Sequence, residues 1–324
     1  MELMPEKIEA IEPWGVNIPF ILVGLLYWFL GGVSLNLSQG YHPYFMMIGS
    51  YSLYFGMIMR LFFPAKKYLP LQVMALFLLG LPMYPSQALA SLALLAVEIW
   101  GIRDVRSYGG RFPVNALVLS SPAASIVSWL LYPIYGYWLL VVSLLLYLLG
   151  VNMGVFSANL GVKAKFGVEQ TPIFVLVLLT LLSHKLLPVV VLGYLLWLLW
   201  KTKKMKFNLS SVSTILASLV VTSLSPLLGE TVHSFALGVM APYFFGCIVY
   251  STSRYNYQKV TPIPLITGAS YFLRFVNLEA SAALFGLTVL YFLYLFKDNL
   301  TFTSVRLGMS SRYLKGEPSA REVP

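Results

Sequence analysis

The sequence predicts an all-α fold, a polytopic transmembrane helical bundle of about 12 spans. Three observations predict it. Of the 324 residues, 58% are hydrophobic and only 10% are charged, where a soluble domain carries about a quarter charged residues. Mean hydropathy is +0.78. Apolar runs of span length recur along the whole chain, separated by short basic or proline-containing breaks. A chain this short of charge has too little polar surface to face water all round, and helices are one of the few structures that satisfy their own backbone inside a bilayer.

Read with a window of about 19 residues, the spans fall at 16–37, 42–63, 68–84, 86–102, 112–132, 135–157, 168–184, 186–200, 209–228, 232–251, 260–276 and 279–296. The first follows a stretch holding Glu2, Glu6, Glu9 and Glu12 against the single Lys7. That is the wrong sign for a cleaved signal sequence, so the first span is expected to stay. The pairs 68–84/86–102 and 168–184/186–200 are the closest neighbours, and each has a second reading as one long helix with a re-entrant piece. Pro85 and Pro188 favour the breaks, because proline removes a helix hydrogen bond.

The basic residues orient the bundle. With the N-terminus in the cytoplasm, every one of the 22 Lys and Arg except Lys185 and Arg274 falls on the inner side. Positive charge resists translocation, and dropping one span would reverse every later loop and spoil the pattern. The expected layout is therefore N-in and C-in: a cytoplasmic N-terminal segment 1–15, a transmembrane domain 16–297 and a cytoplasmic tail 298–324, in the cell membrane. The inner loop 103–111 and the run from Lys201 to Lys206 read as connectors lying against lipid headgroups. Because these charges flank spans, the formal net charge of +10 points to no nucleic-acid partner; the partner is the lipid bilayer. The single cysteine, Cys247, excludes an internal disulfide and any cysteine-built metal site.

Polar groups at membrane depth are the first places to look for chemistry, and they are few. Glu98 sits near the inner end of the fourth span, within expected reach of Arg103 or Arg106. No Asp, Glu, Lys or Arg falls clearly at the midplane, which speaks against a relay of buried carboxylates. His42 opens the second span, His233 opens the tenth and His184 closes the seventh; all three are expected at the outer face. His42 and His233 share their surroundings. Each is followed by a helical glycine (Gly49; Gly238), an aromatic–glycine pair (Phe55-Gly56; Phe245-Gly246) and an inner-end arginine (Arg60; Arg254). This reads as a diverged repeat with a period of eight spans.

Two histidines at equal depth on two spans suit the axial positions of one haem iron. The glycines would let a flat macrocycle approach the helices, with Tyr41, Phe45, Phe235 and Phe272 as aromatic walls. Arg274 is the expected partner of the propionates. The plain alternatives are histidines serving as interfacial anchors, glycines serving helix packing and Arg274 pairing with Glu279. His184 reads as interfacial.

Twelve spans with both ends inside, outer histidines on spans 2 and 10 and an outer arginine on span 11 resemble the heme-copper oxidase superfamily and its NnrS-like polytopic relatives. The resemblance implies an oxidase-subunit-I-like arrangement, a haem b held by His42 and His233, and Arg274 at its propionates. It does not extend to the copper centre: span 6 has no histidine and the span 7 region offers only His184, so electron transfer is implied and oxygen reduction is not. In size and hydrophobicity the chain also resembles the polytopic membrane component of crenarchaeal b-type cytochrome complexes. That likeness implies an outer-face cytochrome subunit and quinol as partners. A 12-span secondary transporter and a cofactor-free membrane anchor are the competing readings.

Overall fold

The computed structural model describes residues 12–107, 115–200, 202 and 204–315, with the side chains of 103–107 and 314 outside the description. The expected contacts of Glu98 with Arg103 or Arg106, and the inner loop to residue 111, therefore lie outside the described residues. Among those described, the chain is helical throughout and holds one isolated bridge, Pro13 to Ala65.

Twelve helices follow in order: α1 (Asn17–Asn36), α2 (His42–Phe62), α3 (Leu69–Gly80), α4 (Tyr84–Ser107), α5 (Ala116–Tyr135), α6 (Trp138–Leu160), α7 (Thr171–Leu182), α8 (Leu187–Leu199), α9 (Leu209–Leu228), α10 (Thr231–Thr252), α11 (Pro262–Leu273) and α12 (Leu278–Phe296). Each falls on one of the apolar runs of the sequence. Eight of them, α1, α2, α4, α5, α6, α9, α10 and α12, are long and apolar enough to cross a membrane. The other four have only 12 or 13 residues. At 1.5 Å per residue they reach about 20 Å, short of a hydrocarbon core of about 30 Å. Proline sets their starts: Pro70, Pro172, Pro188 and Pro262 all stand in the first turn, where the missing amide costs nothing. The breaks at 81–83 and 183–186 separate α3 from α4 and α7 from α8, so neither pair is one long helix.

The twelve helices form three units of four. Each unit runs long helix, long helix, 3₁₀ turn, short proline-started helix and a fourth helix. The 3₁₀ turns are Lys66–Tyr68, Gly167–Gln170 and Arg254–Val260. Asn17, Asn115 and Asn208 stand at the starts of the three first helices, and Asn115 and Asn208 cap them through Val118 N and Ser211 N. Gly56, Gly154 and Gly246 recur in the three second helices, and Thr171-Pro172-Ile173 returns as Thr261-Pro262-Ile263. The repeat read from the sequence covers the first and third units and misses the middle one, because its second helix carries no histidine.

The second helices are the core. Within their most apolar stretches α2, α6 and α10 are 72%, 89% and 83% buried, against 44%, 44% and 39% for α1, α5 and α9. They meet one another at the centre. Apolar side chains alone give little preference for a neighbour over lipid, so close backbones and interhelical hydrogen bonds hold the bundle. A Cβ on Gly49 would lie 2.4 Å from Trp28 Cδ1, and one on Gly56 would lie 2.6 Å from Phe20 Cβ. Trp28 Nε1 donates to the Met46 carbonyl at 3.1 Å, the Tyr51 hydroxyl to the Leu140 carbonyl at 3.0 Å, and the Tyr194 hydroxyl to the Leu149 carbonyl at 2.9 Å. On the outside of α1, Leu22, Leu26, Phe29 and Val33 form an exposed apolar stripe at helical spacing. Such stripes suit contact with lipid acyl chains.

Three prolines inside the long helices are compensated by serine. Pro122 cannot donate to the Val118 carbonyl, and Ser121 Oγ does so instead at 2.6 Å. Pro226 leaves the Thr222 carbonyl to Ser225 Oγ at 2.8 Å. Pro242 leaves the Gly238 carbonyl, which accepts from Ser218 Oγ on α9 at 2.7 Å. There α10 also opens into a π-helical stretch, Phe235–Met240, so the proline ring and the freed carbonyl are accommodated together.

Both described termini lie at one end of the bundle. Gly15 N donates to the Val305 carbonyl at 2.7 Å, Trp14 N to the Pro64 carbonyl at 3.2 Å, and Lys66 pairs with Glu12 at 3.1 Å. The segment after α12 does not simply trail away. Two short helices, α13 (Phe302–Leu307) and α14 (Ser311–Leu314), fold back so that Ser304 and Ser311 donate to the Asp298 carbonyl.

Candidate functional site

The three histidines gather at the opposite end, where α2, α4, α6, α8, α10 and α12 begin. His42 is the first residue of α2, with Pro43 holding the helix start. His233 stands in the first turn of α10, two residues before the π-helical stretch. Their ring centroids are 6.4 Å apart and their planes are inclined by only 16°. The repeat in the sequence therefore corresponds to two adjacent central helices with their histidines side by side.

Each ring is fixed through Nδ1. His42 Nδ1 lies 2.9 Å from the Gly31 carbonyl of α1, which makes it the donor, since a carbonyl only accepts. His233 Nδ1 lies 2.8 Å from Glu230 Oε2, one helical turn earlier. With Nδ1 carrying the hydrogen, Nε2 is left with its lone pair, and neither Nε2 has a hydrogen bond among the described residues. Histidines that bind metals are oriented in this way, by a carbonyl or a carboxylate on the other ring nitrogen.

Glu230 is not among the residues the sequence singles out, although the Glu-x-x-His spacing from Glu230 to His233 carries the signal. It also answers where Arg274 goes. The guanidinium lies 3.7 Å from Glu230 Oε2, with 19% of its side chain exposed. Arg274 therefore pairs across to the start of α10 and not with Glu279. His42, His233 and Arg274 converge on one locality, with Arg274 linked to His233 through Glu230. His184 belongs beside it: its Nδ1 is 2.5 Å from Thr231 Oγ1, and its ring meets Trp138 edge-on at 5.4 Å. A cavity of about 540 Å³ opens here, lined by Tyr137, Trp138, His184, Glu230, Thr231 and His233 among others.

The glycines of the repeat do another job. Gly49 and Gly56 are filled by α1, and a Cβ on Gly238 would sit 2.6 Å from Val221 of α9. These three serve helix packing, the plainer of the two expectations. The four aromatic residues divide. Tyr41 and Phe45 stack on each other at 5.8 Å near His42, Phe235 is fully buried beside His233 in sequence, and Phe272 packs edge-on to Tyr271 at 5.2 Å.

No group of three or more His, Cys, Asp or Glu side chains placed to hold a metal occurs among the described residues. Two imidazoles alone are too few for a structural zinc site, which takes four protein ligands. They are the right number where a macrocycle supplies the other four donors. His42 and His233 would hold such a group through their Nε2 atoms, and its iron would supply one-electron exchange. The donor set at the head of α2 and α10 fits a haem iron in number and in tautomer. Compared with known proteins, the chain matches no family model, no curated protein and no solved structure.

Proposed function

We propose that the chain is a membrane electron-transfer subunit that crosses the cell membrane twelve times, N-in and C-in, its four short helices completed by the 3₁₀ turns that precede them, and that it holds one b-type haem between His42 and His233 near the outer face. The observation that carries the reading is the pair of near-parallel imidazoles 6.4 Å apart, each with Nδ1 already occupied. When bound, the haem iron supplies reversible one-electron exchange. The chain's own residues orient it: the Gly31 carbonyl fixes the His42 ring, Glu230 fixes the His233 ring, and Arg274 holds Glu230 in place. Arg274 is linked to His233 through Glu230, and in this reading it answers the propionates as well.

The sidedness draws its support from charge. Lys66 and the basic turn at Arg254–Val260 lie at the end that carries both described termini, while among the described residues the histidine end carries only Lys185 and Arg274 as basic residues. Termini at a shared end suit an even number of crossings. In this reading a quinol or an outer-face cytochrome subunit exchanges electrons at the histidine end. A twelve-span secondary transporter is expected to repeat at six spans; three units of four helices do not suit it.

The test is a pyridine-haemochrome spectrum of protein purified from cells supplied with haem. A b-type spectrum is expected, lost in both His42→Ala and His233→Ala. Folded protein without a Soret band would refute the reading. Co-purification with a separate haem protein, with no haem on this chain, would instead select the cofactor-free anchor.

A further inference from the structure

At the end of the bundle that carries the described termini, the last long helix runs into a basic cavity that the histidine site does not use. Leu287, Leu290 and Tyr294 are exposed and follow one face of α12, at the spacing of a lipid-facing stripe. Lys297, one residue past the helix, continues that row and lays its ammonium 4.5 Å from the centre of the Tyr294 ring. Here the chain turns back. Ser304 and Ser311 donate to the Asp298 carbonyl at 3.2 and 3.1 Å, which brings α14 beside the end of α12. A cavity of about 330 Å³ opens there, lined by Lys297, Asp298, Ser311, Arg312 and Lys315.

Three of those side chains are cationic and one is anionic. The anion is engaged: Asp298 Oδ2 accepts from the Tyr255 hydroxyl at 2.9 Å. The ring of the same tyrosine carries the Arg312 guanidinium at 4.5 Å. Lys297 and Lys315 are exposed and make no ion pair among the described residues. Like charges gathered round one hollow repel each other, and a bound anion relieves the repulsion.

Basic residues just past a span are the ordinary mark of the cytoplasmic side, and most meet headgroups only loosely. Two features go beyond that. The chain folds back to gather these cations round one cavity, and the cavity stands at the foot of an exposed apolar row. A phosphate group fits the charge: ammonium groups meet its oxygens as point charges, and a guanidinium offers a fork. The apolar row indicates what the phosphate is attached to. A soluble phosphate would make no use of Leu287, Leu290 and Tyr294, nor of the exposed Leu300 and Phe302 that follow Lys297 in sequence. A phospholipid would lay its acyl chains along α12 and reach the cavity with its headgroup.

We propose that Lys297, Arg312 and Lys315 bind the headgroup of one anionic phospholipid whose chains lie on the Leu287–Tyr294 face of α12. The site rests on α12 crossing the bilayer and on nothing at the histidine end, so it stands or falls separately from haem.

The test is native mass spectrometry of the full-length protein in detergent, titrated with phosphatidylglycerol or with phosphatidylcholine of the same chains. One phosphatidylglycerol is expected to bind more tightly than phosphatidylcholine. A lysine beside an anionic headgroup is worth about fivefold in affinity, so Lys297→Ala/Lys315→Ala is expected to weaken that binding about 25-fold. Lys163→Ala/Lys206→Ala removes the same charge from the same end of the bundle, at residues that do not line the cavity, and is expected to bind as the wild type does. Equal affinity for the two lipids would overturn the proposal, as would wild-type affinity in Lys297→Ala/Lys315→Ala. An equal loss in Lys163→Ala/Lys206→Ala would also overturn it, by showing a general attraction to the protein surface. Glycerol phosphate, a headgroup without chains, is the third ligand. Binding as tight as that of phosphatidylglycerol would assign the cavity to a soluble phosphate and overturn the lipid.

Discussion

Glu230 is the residue on which the haem reading can be tested most finely. It accepts from His233 Nδ1 at 2.8 Å and sits 3.7 Å from the Arg274 guanidinium. Glu230→Gln keeps an oxygen at the same place and removes the charge. Neutral hydrogen bonds are roughly half as strong as charge-assisted ones, and loss of such an outer partner typically costs 10- to 100-fold in metal affinity. The Glu230 side chain is 38% exposed, so water screens part of the charge and the lower figure applies. The expected loss is about tenfold in haem affinity, or about 1.4 kcal/mol. Glu230→Ala, which removes the acceptor as well, is expected to approach the hundredfold figure. The carboxylate also makes the His233 imidazole a stronger electron donor, so the reduction potential is expected to rise in both variants. The assay is titration of haem into apoprotein followed by the Soret band, with a potentiometric titration of the loaded form. Wild-type affinity together with a wild-type potential in Glu230→Ala would show that His233 is not a ligand oriented by Glu230.

The remaining predictions concern the scaffold. Gly56 and Gly246 are repeat-equivalent and should respond with opposite signs. Gly56→Ala drives a Cβ to 2.6 Å from Phe20 and 3.2 Å from the Asn17 backbone, an overpacking of about 1–3 kcal/mol. Gly246→Ala meets nothing within 4 Å and should gain up to about 1 kcal/mol in helix propensity. Thermal unfolding in detergent reads both, and equal shifts would refute the packing argument. Ser218→Ala strips the donor from the Gly238 carbonyl that Pro242 has already orphaned. A loss of about 1–3 kcal/mol in the same assay is expected, and the double variant Ser218→Ala/Pro242→Ala should recover most of it by restoring a backbone donor.

Much of the fold is legible in the residues because hydropathy and proline act locally. Every predicted span has a helix, and Pro70, Pro172 and Pro188 mark starts as their chemistry requires. The lengths of α3, α7, α8 and α11 are not legible: a turn of apolar residues reads as span whether it is helix or connector, and the extended residues Leu81 and Ser183 are as apolar or as small as helical ones. At the site, His42 and His233 are the only repeated histidines and stand out in the sequence. Glu230 does not, because an acidic residue just outside a span looks like ordinary loop charge until the helix turn carries it under the imidazole. Glu98 is visible, but its burial is not. Its burial comes from the packing of α4 in the bundle, which no local pattern encodes.

The three units explain why the chemistry is distributed as it is. Repetition places α2, α6 and α10 around one centre, and it creates three seams between second helices. Identical units would make three identical seams, and these differ. The seam between α2 and α10 carries the two histidines. The seam between α2 and α6 carries Tyr51 with the Leu140 carbonyl, extended through α5 by Ser121, Ser125 and Ser128. The seam between α6 and α10 is closed by Asn152, which reaches the Tyr243 carbonyl at 3.4 Å, and by the rings of Tyr147 with Phe244 and Phe156 with Tyr243. In the middle unit α6 opens on Trp138-Leu139-Leu140 and carries no histidine. A third imidazole at that height would offer a third donor beside a pair whose geometry already suits two axial ligands. Packing that seam with aromatic rings leaves, among the described residues, one pair of facing histidines between the second helices, the pair on which the proposed function rests.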